Sequence, residues 1–284
     1  MGEATMIGLM EQLSDLLTRH ALLPLAWDSA IEAARYLRDE RPSDLAVESK
    51  SSAVDAVTEM DRGAEQILVT RLLGARPNDG FLGEEGGQRL GSSGVRWVVD
   101  PLDGTVNYLY RIPMWSVSVA AEVQEKSVVG IVVAPDFDEA FVGIAGGGAW
   151  LVRQALTDPT SVDRLQVGQC AGLEMAMVAT GFGYSAQRRR EQAAVVLAIA
   201  GQVRDFRRMG GAAIDFCWLA RGRFDGYYER GLSRWDVAAG ALIAQEAGAH
   251  VSGLWGDSVY EETMVAAVPS IAESLRSALR KAQG

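Results

Sequence analysis

Met6, Ile7, Leu9, Met10, Leu13, Leu16 and Leu17 recur at helical spacing, which places them on one face and predicts an amphipathic helix over 6–19. Pro24 follows, and the pattern resumes as a second helix over 26–38, ended near Arg41-Pro42. A third helix is expected over 58–73, with Asp61 in its first turn and Ile67, Leu68, Leu72 and Leu73 along it. Pro77-Asn78-Asp79-Gly80 reads as a turn leading into a short strand, Phe81-Leu82.

From Val95 onward the apolar runs shorten and strand signals dominate. Strands are predicted over 95–99, 116–123, 128–134, 139–145 and 149–152, and the short turns between them imply an antiparallel meander, since parallel neighbours need long crossovers. The second half alternates short strands at 176–180, 205–209, 224–228 and 249–252 with helices at 186–203, 212–221, 235–247 and 269–282. That alternation predicts a second, smaller sheet with helices on both faces. The expected fold class is mixed α/β. A helical extension over 1–25 precedes a subdomain over 26–157 carrying a metal and phosphate site, and an α/β subdomain over 158–284 completes that site. The boundary is placed near Thr157-Asp158-Pro159-Thr160.

Composition narrows the function. Over 284 residues the formal charge is −10, which argues against nucleic acid as the main ligand. Arg188-Arg189-Arg190, the one run of three basic residues, reads as a solvated helix face. Cys170 and Cys217 are the two cysteines and stand far apart, as expected of buried thiols in a reducing cytosol. The start has no basic leader and no apolar run is long enough to span a membrane, so a soluble cytoplasmic protein is expected. The two histidines, His20 and His250, sit in no motif, which argues against a Ser-His-Asp triad or a two-histidine zinc site.

Acidic residues carry the chemistry instead. Asp61 opens a helix, Glu84-Glu85 follows Phe81-Leu82-Gly83, Asp100 and Asp103 follow the strand at 95–99, and Asp236 precedes the apolar helix after Trp235. Each sits at the edge of a predicted element. Asp61 and Asp236 taken alone also suit stabilisation of a helix N-terminus, and Glu84-Glu85 alone suits a polar turn. Taken together, carboxylates beside Gly104-Thr105, where a turning backbone offers N–H groups to an anion, suggest a hard cation and a phosphate. Asp103-Gly104-Thr105 is similar to the D-x-D-G-T motif of haloacid-dehalogenase-type phosphatases, but Pro101 occupies the place of the nucleophilic aspartate.

The ordered blocks Gly83-Glu84-Glu85, Trp97 to Tyr108 around Asp100-Pro101-Leu102-Asp103-Gly104-Thr105, and Trp235-Asp236-Val237-Ala238-Ala239-Gly240 resemble the inositol monophosphatase family of Mg2+-dependent, lithium-sensitive phosphatases. Weaker blocks at Lys50-Ser51-Ser52, Asp55, Val57 to Asp61 and Tyr227-Tyr228-Glu229 agree, and the resemblance covers about residues 26–270. It implies the layered α/β/α/β/α sugar-phosphatase fold and commonly a homodimer. By position it implies that Glu84, Asp100 and the Leu102 carbonyl hold one Mg2+. Asp100, Asp103 and Asp236 would hold a second, and Glu84 would neighbour a looser third. The Gly104 and Thr105 N–H groups would receive the phosphate. Asp61, Thr105 and Glu84 are then the catalytic set, with a Mg2+-activated water oriented by the Thr105 hydroxyl paired to Asp61. Asp103, Ala212, Glu229 and Asp236 would meet the polyol, and Lys50 is similar to a lysine near the metal cluster.

The implied reaction is hydrolysis of a small phosphate monoester, inositol 1-phosphate first. Histidinol phosphate, fructose 1,6-bisphosphate and phosphoadenosine phosphate are alternatives, and a regulatory or scaffold protein on the same fold is the reading from another class. Val106 directly after Gly104-Thr105, where many phosphoadenosine-phosphate enzymes carry lysine, favours a polyol. The helix at 6–19 lies outside the resemblance and is expected to cover an apolar surface of this chain or of a partner subunit.

Overall fold

Most residues of Ser116–Val123, Glu139–Ile144 and Gly148–Arg153 are buried on both faces of their strands. A sheet of such strands has to be covered on both sides, and this requirement organises the molecule. The computed structural model describes residues 3–41, 47–49 and 56–283; Lys50, Ser51, Ser52 and Asp55 lie outside the described residues. The first half runs α1 (Glu3–Thr18), α2 (Leu23–Asp39), β1 (Val47–Ser49), β2 (Ala56–Thr58), α3 (Glu59–Ala75), β3 (Gly80–Gly83), β4 (Gly87–Arg89), β5 (Val95–Asp103) and α4 (Thr105–Leu109). The meander β6 (Ser116–Val123), β7 (Lys126–Ala134), β8 (Glu139–Ile144), β9 (Gly148–Arg153) and β10 (Ser161–Arg164) follows. The remainder is β11 (Met177–Thr180), α5 (Ala186–Ile199), β12 (Asp205–Arg207), α6 (Ala212–Ala220), β13 (Gly226–Arg230), α7 (Arg234–Glu246), β14 (His250–Gly253), β15 (Thr263–Ala267) and α8 (Ala272–Gln283).

Eight strands form the larger sheet in the order β10-β9-β8-β7-β6-β5-β3-β4, and five form the smaller in the order β12-β11-β13-β15-β14. Helices α2 and α3 cover one face of the larger sheet through a core that includes Trp27, Leu37, Leu68, Trp97 and Tyr108. Helices α6 and α7 fill the space between the sheets, packing Ala213, Ala239 and Ile243 against Val98, Val132 and Phe141. Val195 and Ile199 of α5, with Leu275 and Leu279 of α8, join the core of the smaller sheet. The layers are therefore α/β/α/β/α. α1 packs on α2 and reaches β10, burying Leu13 and Leu16, so it covers an apolar surface of its own chain.

The pairing differs from the expected pattern at three places. β3 runs parallel to β5, so the larger sheet is not wholly antiparallel. β15 pairs antiparallel with both β13 and β14; its run Thr263-Met264-Val265-Ala266-Ala267 is buried throughout and lacks the alternation that marks a half-exposed strand. Pro24 lies in the first turn of α2 instead of ahead of it, where its missing N–H costs nothing.

α7 carries Asp236 and is seated by backbone-to-backbone approach. A Cβ added to Gly130 of β7 would lie 2.8 Å from the Ala239 carbonyl oxygen, and one on Gly143 of β8 would lie 3.0 Å from the Ile243 Cα. A side chain at either position has to lift the helix that bears the site. Gly143→Val is expected to destabilise the protein by about 1–3 kcal/mol, the usual cost of overpacking. Gly74→Ala in α3, where the added Cβ meets nothing within 4 Å, is expected to be neutral or stabilising. Urea unfolding of the two variants checks both; equal midpoints would show that α7 is not seated by this contact.

Candidate active site

β5 delivers two carboxylates to one face by breaking its own register. On an unbroken strand, residues three apart face opposite ways. Asp100 is opposite Ser118 and Asp103 opposite Ser116, so three steps on β5 match two on β6, and Pro101-Leu102 forms a bulge. As a result Leu102 joins Trp97 and Val99 in the core beneath α2 and α3, while Asp100 and Asp103 line one pocket together. The Asp100 Oδ1 accepts the Leu102 N–H at 3.0 Å, fixing the turn across the proline.

Asp103 is held from the far side of the pocket. Its two oxygens accept the Ala212 and Ala213 N–H groups of α6 at 3.0 and 2.9 Å, and the Ser116 hydroxyl donates at 3.3 Å. Three donors orient the carboxylate and join the two sheets through the start of α6. Gly104 then turns with φ 86°, and a Cβ there would lie 2.7 Å from the Met114 carbonyl oxygen, so glycine alone fits. The Asn107 amide donates to the Met114 and Met209 carbonyls at 2.7 and 2.9 Å, tying α4 to the loops on either side. The Thr105 hydroxyl donates to the Leu102 carbonyl at 3.0 Å, so the expected pairing with Asp61 requires that bond to be released.

Asp236 both accepts a bond at a helix start and faces the pocket. Its carboxylate accepts the Ser233 N–H at 2.6 Å at the start of α7, and it faces the same pocket as Asp100 and Asp103. Glu84 enters from the turn between β3 and β4. Glu65, one helical turn after Asp61 and 5% exposed, accepts the Glu85 N–H at 2.9 Å and so shapes that turn. The pocket, about 300 Å³, is lined by Glu84, Asp100, Leu102, Asp103, Gly104, Thr105, Ala212, Glu229 and Asp236 among others. Asp61 is buried behind this lining, near enough for its charge to act on Asp100. The Ala212 N–H, bonded to Asp103, is already taken. Of the sequence-predicted site residues, only Lys50 falls outside the described residues.

The electrostatics are those of buried carboxyls gathered in one place. Burial holds the Asp100 carboxyl well above the ordinary carboxylate range, and Glu84, Asp103, Asp236 and Asp61 push it further up. Asp236 is raised by burial and then by Asp103, with the Ser233 N–H opposing. Asp103 is raised by burial against the pull of its backbone donors. Among the described residues no three histidine, cysteine, aspartate or glutamate side chains make a ready metal cage, so a cation here would need main-chain, water or substrate oxygens to complete its shell. An all-oxygen, negatively charged and partly open donor set fits Mg2+ better than a softer metal.

Several residues lining or backing the pocket were not expected. Arg188, Arg208, Phe182 and Tyr184 line it as well, which corrects the solvated-face reading for Arg188. Asp215, buried on α6, is raised by burial and then by Glu229. These side chains come from the loop before α5, the first turn of α5, the segment after β12 and α6, and no local spacing in the chain links them to the acids. A larger cavity of about 540 Å³ lies on the other face of the smaller sheet, against Tyr228 and Arg230. There Arg230 pairs with Glu191 and Glu262 and Glu261 accepts the Trp255 N–H, so its acids are already satisfied.

Glu229 gives a pH-dependent test. Its carboxyl accepts the Tyr227 hydroxyl at 2.7 Å, and burial pushes its pKa up to about 7 against the opposing pull of Tyr227 and Arg208. A carboxyl raised in the folded state favours folding while it is protonated. Its contribution is full below the unfolded value of 4.5 and is lost as pH rises through about 7. Without divalent cations, stability is expected to fall across that window, and Glu229→Gln is expected to fall less steeply. Thermal melts at constant ionic strength read the difference; identical slopes would show a solvated carboxyl.

Comparison with known proteins identifies the family. The model of the inositol monophosphatase family matches residues 19–283. The inositol-1-monophosphatase of Mycobacterium bovis is 40% identical, over 93% of this chain and 94% of that protein. The Nus factor SuhB of Salmonella typhimurium is 34% identical over 92% and 96%. The crystal structure of the extragenic suppressor protein suhB from Bartonella henselae superposes with a TM-score of 0.84, at 35% identity over 92% of this chain and 99% of that one. The chain belongs to the inositol monophosphatase family.

Proposed function

We propose that this chain is a Mg2+-dependent phosphomonoesterase acting on a small phosphorylated polyol, with inositol 1-phosphate as the first substrate to test. The observation that carries the reading is the convergence of Glu84, Asp100, Asp103 and Asp236 on one pocket beside Gly104 and Thr105. Glu84, Asp100, Asp103, Asp236 and the Leu102 carbonyl would hold the cation. When bound, it supplies Lewis acidity toward the phosphate and offsets the repulsion among the acids.

The chain's own groups account for the rest. The turn at Gly104 leaves backbone N–H groups for a phosphate oxygen, the logic of an anion at a helix start. Asp61 and the Thr105 hydroxyl are assigned to orienting the attacking water, once Thr105 releases Leu102. Glu229, held by Tyr227, is assigned to a hydroxyl of the polyol. Asp103 is positioned by Ala212, Ala213 and Ser116 before any ligand arrives, so little reorganisation accompanies binding.

The family match and the inositol-1-monophosphatase relatives support the phosphatase class, and the acidic donor set supports Mg2+. A cytoplasmic homodimer is the accompanying proposal. The test is phosphate release from inositol 1-phosphate, histidinol phosphate, fructose 1,6-bisphosphate and phosphoadenosine phosphate, with Mg2+ or chelator and with or without Li+. Activity is expected with Mg2+ alone, suppressed by Li+. Asp100→Asn is expected to lower it more than about 100-fold, the scale that outer partners of metal ligands already reach. Retained Mg2+-dependent activity in Asp100→Asn would remove the ligand assignment. No turnover of any substrate would favour a binding role instead.

A further inference from the structure

Helix α7 carries Asp236 to the pocket and is seated at its middle and far end by contacts already strong enough to hold it there. The middle lies against the Gly130 and Gly143 backbones. At the far end Glu246 accepts the Gly146 and Gly148 N–H groups at 2.7 and 2.8 Å. Neither contact reaches the first turn, where Asp236 sits. A first turn has no intrahelical partners for its N–H groups and frays unless something ties it down.

The tie comes from β6. Ala121 packs beneath α2 and α3, and Ala120 packs in the layer with α6 and α7. By the two-residue alternation of a strand, Ser118, Ala120 and Glu122 therefore face α7. The Ser118 hydroxyl donates to the Trp235 carbonyl at 3.4 Å. Glu122 is 1% exposed and divides its two oxygens between two neighbours. Arg96, opposite it on β5, donates from Nε and Nη2 to Oε2 at 3.0 and 2.6 Å. Arg234, the first residue of α7, donates from Nε to Oε1 at 2.8 Å, and the Tyr260 hydroxyl donates to that same oxygen at 3.1 Å.

Arg234 is committed to this tie. Its Nη2 donates to the Glu125 carbonyl in the β6–β7 turn at 2.8 Å, and its guanidinium centre lies 4.3 Å from the Tyr260 ring centroid. Ser233, Trp235 and Asp236 line the pocket, and Arg234 between them does not. One planar guanidinium thus joins a buried carboxylate to a turn carbonyl at a fixed angle, which a lysine ammonium has no fork to do.

Resting on the reading that Asp236 holds a cation, we propose that Glu122 and Arg234 are positioning residues for Asp236. The pair fixes the first turn of α7 against β6, and with it the direction from which the Asp236 carboxyl meets the cation. Arg96 occupies Oε2 alone, so the sheet does not need Arg234, and the Oε1 side of Glu122 serves the helix.

Calorimetric titration of the full-length, chelator-treated protein with Mg2+ tests the proposal. Arg234→Gln is expected to weaken Mg2+ binding by about tenfold, the lower end of what outer partners of metal ligands contribute. Glu122→Gln is expected to act in the same sense, and the double variant to be no worse than the weaker single, as two halves of one contact require. Arg234→Lys, which keeps the charge without the fork, is expected to recover part of the loss. Arg234 is the more exposed partner, so its variants keep the test open if Glu122→Gln does not fold. Arg153→Gln serves as the structural control, since it removes ion pairs to Glu139 and Asp163 without touching α7, and it is expected to leave Mg2+ affinity unchanged. Unchanged affinity in Arg234→Gln, or an equal loss in Arg153→Gln, would overturn the positioning role while leaving the cation site standing. A wild type that binds no Mg2+ would overturn the cation reading and this inference together.

Discussion

The burial of several carboxyls in one pocket is the constraint around which this molecule is built. Asp100, Asp103 and Asp236 face one pocket with Glu84, and each aspartate is pushed upward by burial. Left to themselves such groups would separate or take up protons. They are kept together by covalent and hydrogen-bonded restraints drawn from both halves of the chain. The β5 bulge aims Asp100 and Asp103 the same way, the start of α6 grips Asp103, and the start of α7 grips Asp236. The close seating of α7 on Gly130 and Gly143 transmits the rigidity of the larger sheet to the site. The layered fold thus acts as a clamp that holds buried carboxyls together, a cost that a bound cation would offset.

Arg188 and Arg208 line the same pocket as the acids, and Arg208 draws the Glu229 carboxyl partly back toward its ordinary range.

Much of this was legible in the chain because the decisive residues sit at element ends. An apolar run followed by Asp100-Pro101-Leu102-Asp103-Gly104-Thr105 announces a strand that stops and turns, and Asp236 just before an apolar helix announces a helix start. The helix-cap and active-site readings of Asp236 proved compatible, since one carboxylate oxygen can cap while the group still faces the pocket. Other features depend on contacts far apart in sequence. The bulge that turns Asp103 toward Asp100 exists only against β6, and Glu65 matters only because the turn at 83–86 folds onto it. β15 was hidden by its complete burial, and Arg188 looked like an exposed helix face until the β13–α7 loop closed over it.

Thermal unfolding with and without Mg2+ tests the clamp most directly, because it reads that cost without assuming a substrate. The wild-type Tm is expected to be lowest in chelator and to climb with Mg2+ as binding to the folded state demands. Asp100→Asn, which removes one of the buried carboxyls, is expected to melt above the wild type in chelator and to lose most of the Mg2+-dependent rise. A wild-type Tm indifferent to Mg2+, together with an Asp100→Asn variant no more stable in chelator, would contradict the account.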